Sequence, residues 1–321
     1  MQQRHIAAVA AATVLAIAAV TVPTSAKTSF EGLVVFGTSL SDPGNAFALR
    51  GEASEPPDYL VDPFLVPSAP YSRGGHHFSN GATWVEQFAR PLGLAGTVKP
   101  AFQGAASGAA NYAVGGARAA EDGINVNLPQ QVNAFLLDAG GTAPADRLYV
   151  IEMGSNDIRD ALVTFAGGGN GGPILQRAVG SIAQNIQALY AAGARTFLVW
   201  RPPNVGLTPA IRTLDRVRPG AAQLAAAITQ NFNAGLDGAV AQLSALPGIT
   251  IVRLDAFRLL NDLTANPGAF GLTNVTAACI TPGVAPFTCR DADEYLFWDG
   301  IHPSKAVHAI TAQEAAYALA R

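Results

Sequence analysis

Leu33-Val-Val-Phe-Gly-Thr-Ser-Leu-Ser-Asp-Pro-Gly-Asn45 decides the fold of this chain. Its first four residues are an apolar, β-branched run, which reads as a strand buried on both faces. Gly37 breaks the run, and Thr38, Ser39 and Ser41 then read as a strand-to-helix turn. A serine just past the C-terminal end of a buried parallel strand stands where open α/β sheets place their ligands. If a helix starts next, its free backbone N–H groups point toward that serine and favour negative charge beside it. The same residues suit plain helix capping by Ser39 or Ser41 equally well. The rest of the chain decides between the two.

Downstream, strands and helices alternate. Further strands are expected at Ala109–Val114, Arg147–Met153, Thr196–Trp200 and Ile249–Leu254. Between and after them, Phe78–Ala89, Leu128–Leu137, Ile174–Ala192, Ala221–Leu246 and Ser304–Leu319 read as helices. Strands separated by helices build βαβ units, hence a five-stranded parallel sheet covered on both faces, an α/β fold of three layers. Two connections break the rhythm. Residues 48–75 carry five prolines with Tyr59, Phe64 and Tyr71, and residues 261–298 form a loop-rich excursion holding both cysteines. Loops of this length are usually functional or mobile, and both are expected to shape a pocket at the strand ends.

Upstream, Arg4 and His5 precede the apolar stretch Ile6–Val22, then Pro23 and the small residues Thr24-Ser-Ala26. A charged start, an apolar middle and a small-residue exit make a secretory signal peptide over residues 1–26; a retained anchor is the alternative. Residues 27–321 are then expected to be a single domain, secreted or periplasmic, with no membrane span left after signal removal. Cys279 and Cys289 are expected to pair in an oxidising compartment, free thiols being the alternative. Hydrophobic residues make up 49% of the 321, charged residues 13%, and the formal net charge is −3. A large core is available, and there is no basic excess for nucleic acid.

Ser39, Gly116 and Asn156 each follow a predicted strand, so all three face one crevice of the sheet edge. Near the other end stands Trp298-Asp-Gly-Ile-His-Pro303, where a turn would put Asp299 and His302 on one side. After signal removal the histidines are His76, His77, His302 and His308, and a serine nucleophile would need one of them as base. His76 and His77 read as loop surface or pocket rim rather than metal ligands. His308 lies within the last helix and reads as structural.

Phe36-Gly-Thr-Ser-Leu-Ser-Asp-Pro-Gly-Asn45, Asn111-Tyr-Ala-Val-Gly-Gly-Ala117, Gly154-Ser-Asn-Asp157 and Asp299-Gly-Ile-His302 occur in that order. Together they resemble the blocks of the GDSL or SGNH serine esterases and lipases. That resemblance implies a flavodoxin-like SGNH hydrolase fold, with Ser39 as nucleophile, His302 as base and Asp299 orienting it. It also implies an oxyanion hole made by the Ser39 and Gly116 N–H groups and the Asn156 amide. The chemistry would be hydrolysis of a small-molecule or lipid ester through an acyl-enzyme, with no cofactor and no metal. Polysaccharide deacetylation and phospholipid cleavage are alternatives on the same machinery. One departure stands out: Thr38 occupies the place where the family usually has aspartate. It is the sole motive for a third reading, a non-catalytic binding module. Each block also has a local reading: a cap at Ser39, a tight turn at Gly115-Gly116, a cap at Asn156 or Asp157.

Other motifs are rejected on context. Gly167, Gly169 and Gly172 spell G-x-G-x-x-G, yet they follow a predicted helix rather than a strand. No Walker loop, G-x-S-x-G elbow or H-E-x-x-H is present.

Overall fold

A computed structural model describes residues 30–104 and 108–321. The predicted signal peptide lies outside the described residues. In chain order the elements begin with β1 (Gly32–Gly37), α1 (Asn45–Arg50), α2 (Trp84–Ala89) and α3 (Leu128–Asp138). Next come β2 (Arg147–Glu152), α4 (Ser155–Ala166), α5 (Gly172–Ala191) and β3 (Thr196–Arg201). The chain continues through α6 (Pro209–Val217), α7 (Ala221–Leu243), β4 (Thr250–Asp255) and α8 (Ala256–Ala265). It closes with β5 (Asn274–Ala278), β6 (Tyr295–Phe297) and α9 (Lys305–Leu319).

β1 to β4 form one parallel sheet in the order β1-β2-β3-β4, with Gly37 opposite Glu152 and Arg201 opposite Asp255 at the C-terminal ends. Alternate residues point to opposite faces, and both faces of β1, β2 and β3 are buried, whereas β4 at the edge is partly exposed. Val34, Phe36, Tyr149, Ile151, Phe197 and Val199 pack under α3, α4, α5 and α7. Leu33, Val35, Leu148, Val150, Leu198 and Trp200 pack under α2, the start of α8, and α9. Double-sided burial is why the middles of β1, β2 and β3 read as apolar runs.

The expected fifth strand is a correction. Residues 109–114 do run beside the free edge of β1, with Val35 N–H donating to Ala110 O at 2.9 Å and Tyr112 N–H to Val35 O at 2.8 Å. Val114 N–H also donates to Gly37 O at 3.1 Å, but the rung between these bonds is taken by the Gln131 side chain. Its Oε1 accepts the Gly37 N–H at 2.8 Å, the donor a continuing strand would have claimed. The segment is therefore bridged at Asn111 alone. With it counted beside β1, the order is the flavodoxin-like one that the resemblance implied. The excursion at 261–298 holds further structure that the sequence reading missed: the end of α8 and the parallel pair β5–β6. The Cys279–Cys289 disulfide is formed, with Cα atoms 4.8 Å apart.

α2 and α9 pack together, and His308 of α9 is buried between them. Its Nδ1 accepts the Trp84 N–H at 3.1 Å, so the ring is neutral there. Burial, aided by His77 and His302, pushes His308 down to about 3. A histidine with a depressed folded pKa contributes stability that is present above its ordinary value and lost as pH falls toward the folded one. We expect His308→Asn, which keeps an acceptor for Trp84, to be less acid-labile than wild type. Between pH 6.5 and 4 the gap should narrow by about 1.4 kcal/mol per pH unit, read from denaturant unfolding. Equal acid sensitivity of the two proteins would contradict this. The carboxyls that burial raises, Asp42 and Asp157 to about 6, act with opposite sign in both proteins and cancel from the comparison.

Candidate active site

β1 ends at Gly37, and residues 38–41 turn back on themselves, with Ser41 N–H donating to Thr38 O at 3.1 Å. The turn presents Ser39 half-buried at the sheet edge. Neither Ser39 nor Ser41 caps a helix. That task falls to Asp42, whose carboxylate accepts from the N–H groups of Gly44, Asn45 and Ala46, and also of Gly115. The N–H groups of α1 are thus spent on Asp42 rather than aimed at Ser39, contrary to the reading from sequence. Asn45 binds the segment behind it, its Nδ2 donating to Asn111 O and Ala113 O.

Four segments converge on Ser39. His302 Nε2 stands 2.8 Å from Ser39 Oγ, and His302 Nδ1 stands 2.7 Å from Asp299 Oδ2. Asp299 is fully buried. Its Oδ1 accepts the N–H groups of Ile301 and His302, at 2.8 and 2.7 Å, which forms the turn that the spacing predicted. Its Oδ2 accepts a second bond, from the Tyr71 hydroxyl at 2.9 Å. A fixed carboxylate facing Nδ1 leaves Nε2 as the nitrogen able to accept the serine proton.

Asn156 is the second residue of α4 and lines the same cavity as Ser39 and His302. Its Nδ2 donates one hydrogen to Ala117 O at 2.8 Å, so the other is available to the cavity. Gly154 turns the chain into α4 with φ +113°, where a Cβ would stand 2.6 Å from the Phe232 ring. Asp157 does not cap α4. It reaches across to the N–H groups of Ala119 and Ala120. Gly116 adopts φ +87°, a conformation that needs glycine. It does not line the cavity, but its neighbour Ala117 holds Asn156. Among the described residues, the N–H groups of Ser39 and Gly116 donate to no protein acceptor.

The cavity at this edge measures about 1070 Å³. One wall comes from the proline-rich loop, through Tyr59, Leu60, Val61 and Phe64. Another is Leu162, Val163 and Ala166 of α4. The third is residues 203–218, with Val205, Ile211 and Leu214. Two expectations are corrected here. The excursion at 261–298 contributes nothing to the cavity, because β5, β6 and the disulfide pack behind the Asp299 turn against Tyr59, Tyr71 and Trp298. Tyr71 is not a cavity residue either; its hydroxyl is committed to Asp299. Gly300 ties the turn to the loop: its N–H donates to Leu65 O at 2.8 Å, and a Cβ there would stand 2.0 Å from Phe64 O.

His77 is likewise no rim residue. It is buried, with Nε2 2.9 Å from Glu86 and Nδ1 2.6 Å from Gly74 O. His76 stacks on Phe47. Among the described residues no group of three or more His, Cys, Asp or Glu side chains is placed to hold a metal ion, and no helix is long and apolar enough to cross a membrane.

Residues 33–315 match the sequence model of the GDSL-like lipase/acylhydrolase family. A GDSL esterase/lipase of Arabidopsis thaliana is 27% identical over 320 residues, spanning 88% of this chain and 84% of the plant protein. Esterase EstA of Pseudomonas aeruginosa is 33% identical over 324 residues, spanning 88% of this chain and 46% of EstA. Among solved structures, an extracellular lipase of Streptomyces rimosus aligns over 88% of this chain and 99% of its own, at 14% identity and a TM-score of 0.36.

Proposed function

Because the chain belongs to the GDSL-like lipase/acylhydrolase family, we propose that it hydrolyses carboxylic esters with Ser39, His302 and Asp299 as its catalytic triad. The observation that carries this reading is the unbroken file from Ser39 Oγ through the His302 ring to Asp299, with contacts of 2.8 and 2.7 Å. A serine hydroxyl is a weak nucleophile and needs an adjacent base. His302 takes the Ser39 proton through Nε2 as Oγ attacks the ester carbonyl, and returns it to the departing alkoxide. Asp299 holds the Nδ1–H tautomer and stabilises the imidazolium. Water, deprotonated by the same Nε2, then releases the acid from Ser39.

The tetrahedral oxyanion is met by the Ser39 N–H and the free Asn156 Nδ2–H, both at the cavity; the Gly116 N–H is kept as third donor because it has no protein acceptor among the described residues, although Gly116 is not itself part of the lining. Such donors act where charge develops and need no reorganisation. Asn156→Ala is expected to lower kcat by on the order of 10² to 10³, with a much smaller change in KM. A kcat within threefold or so of wild type would remove Asn156 from the oxyanion hole.

The apolar walls of the cavity support an apolar acyl chain over an acetyl group. The test compares p-nitrophenyl octanoate with p-nitrophenyl acetate, beside capture of the enzyme by a fluorophosphonate. Expected are about tenfold or greater kcat/KM for octanoate and one phosphonyl group, mapped to Ser39. Preference for acetate would reverse the acyl assignment in favour of deacetylation. No hydrolysis and no label on Ser39 would leave the binding-module reading. The leader-like residues 1–26 and the disulfide support a protein of 27–321 acting outside the cytoplasm.

A further inference from the structure

We propose that Glu152 is a positioning residue for the nucleophile, holding the turn that carries Ser39 through its contacts with Thr38. The proposal rests on the reading of Ser39 given above. Glu152 is the last residue of β2, opposite Gly37, and none of it is exposed. No Arg, Lys or His lies within ion-pair distance of it among the described residues. A buried carboxyl without a cation persists only where donors surround it.

Those donors all come from the turn that holds Ser39. Thr38 N–H donates to Oε2 at 2.9 Å, and the Thr38 hydroxyl stands 3.0 Å from both carboxyl oxygens. The Ser41 hydroxyl lies close enough to favour the charged form of the same carboxyl. The Ser41 proton is free to do so because its oxygen already accepts the Trp84 indole N–H at 3.0 Å. Glu152 thus grips the residue before Ser39 through both its N–H and its hydroxyl. Gly37 leaves the necessary room, since a Cβ there would stand 3.0 Å from Glu152 Oε2.

The same contacts account for Thr38. An aspartate at that place would face Glu152 carboxyl to carboxyl in a dry site, where the two could not both ionise. A hydroxyl donates to Glu152 instead. Burial pushes Glu152 up to about 7 while the Thr38 and Ser41 donors pull it back, as expected for a carboxyl held by neutral donors alone. Thr38 is then a donor to Glu152 rather than the mark of a retired site.

The test measures p-nitrophenyl octanoate hydrolysis per phosphonate-titrated serine, with thermal unfolding in parallel. Wild type and Ser39→Ala come first: an inactive wild type, or an active alanine variant, overturns the reading of Ser39 and not the role of Glu152. With that reading intact, Glu152→Ala and Thr38→Asp should each lower kcat by on the order of 10²-fold with KM little changed, since displacing a nucleophile by about 1 Å costs that much. The double variant Thr38→Asp with Glu152→Thr should recover most of the loss, to within about tenfold of wild type. Should Glu152→Ala fail to fold, Glu152→Gln keeps the shape and should show a smaller loss of the same kind. The proposal is overturned if Glu152→Gln and any folded Glu152→Ala turn over at the wild-type rate per titrated serine. A double variant no better than Thr38→Asp overturns it equally.

Discussion

Ser39→Ala is expected to abolish ester hydrolysis, lowering kcat by on the order of 10⁶. The change removes one hydroxyl from a half-buried position that no packing depends on, so the melting temperature should stay close to that of wild type. The N–H of residue 39 survives, as do Gly116 and Asn156. Any residual rate over water therefore measures the oxyanion donors and binding alone, roughly 10³ to 10⁴. Combining Ser39→Ala with His302→Ala should cost little more than either alone, because the two act as a unit. A single variant that keeps even a hundredth of the wild-type kcat would require a different nucleophile.

Asp299→Asn is expected to cost on the order of 10⁴ in kcat while leaving the fold intact. The structure dictates how the amide must sit. Two backbone N–H groups, of Ile301 and His302, point at the Oδ1 position, so an oxygen is required there. The new NH₂ is then forced to the Oδ2 side, facing His302 Nδ1. Two donors cannot share that contact, so Nδ1 must turn acceptor and the ring proton moves to Nε2. The nitrogen that should receive the Ser39 proton is already protonated. The Tyr71 hydroxyl, which donates to Oδ2, loses its acceptor as well. A kcat within tenfold or so of wild type would show that Asp299 is dispensable for the tautomer.

Much of this architecture was legible in the chain because backbone demands are local. Leu33–Phe36 and Leu148–Ile151 are buried on both sides, which leaves no polar alternation, and their ends are marked by Gly37 and Gly154. The close approach of Gly154 to Phe232 makes glycine obligatory there, so the block is visible without any knowledge of its neighbours. What stayed hidden depended on pairings far apart. Tyr71 and Asp299 are 228 positions apart, and Thr38 and Glu152 are 114 apart. The available signal for Glu152 was a lone acid in an otherwise apolar strand. For Tyr71 there was none, and an aromatic residue in a proline-rich loop was read as acyl-pocket lining. α6 went unseen because Pro202 and Pro203 stopped the reading, although Thr208-Pro209 is a sound helix start and Thr208 does accept the Ile211 N–H. The fifth strand failed for the reverse reason: the residues suit a strand, but Gln131, from a helix later in the chain, takes its hydrogen-bond donor.

The joint at Gly300 bears on how this enzyme can change its substrate. Its N–H is fastened to Leu65 and its carbonyl accepts the Ala210 N–H at 2.9 Å, so two of the three cavity walls are sewn to the turn that aims His302. Altered side chains in those walls are transmitted to the base as well as to the acyl chain. Among the described residues the α4 wall has no such backbone stitch to Gly300, and Val163 and Ala166 lie about two and three turns beyond Asn156. Selection for a longer or bulkier acid therefore has one quiet direction in which to work. Diversity drawn from residues 163 and 166 should retune preference at constant turnover, whereas swapping residues 60–67 between relatives should trade specificity against rate.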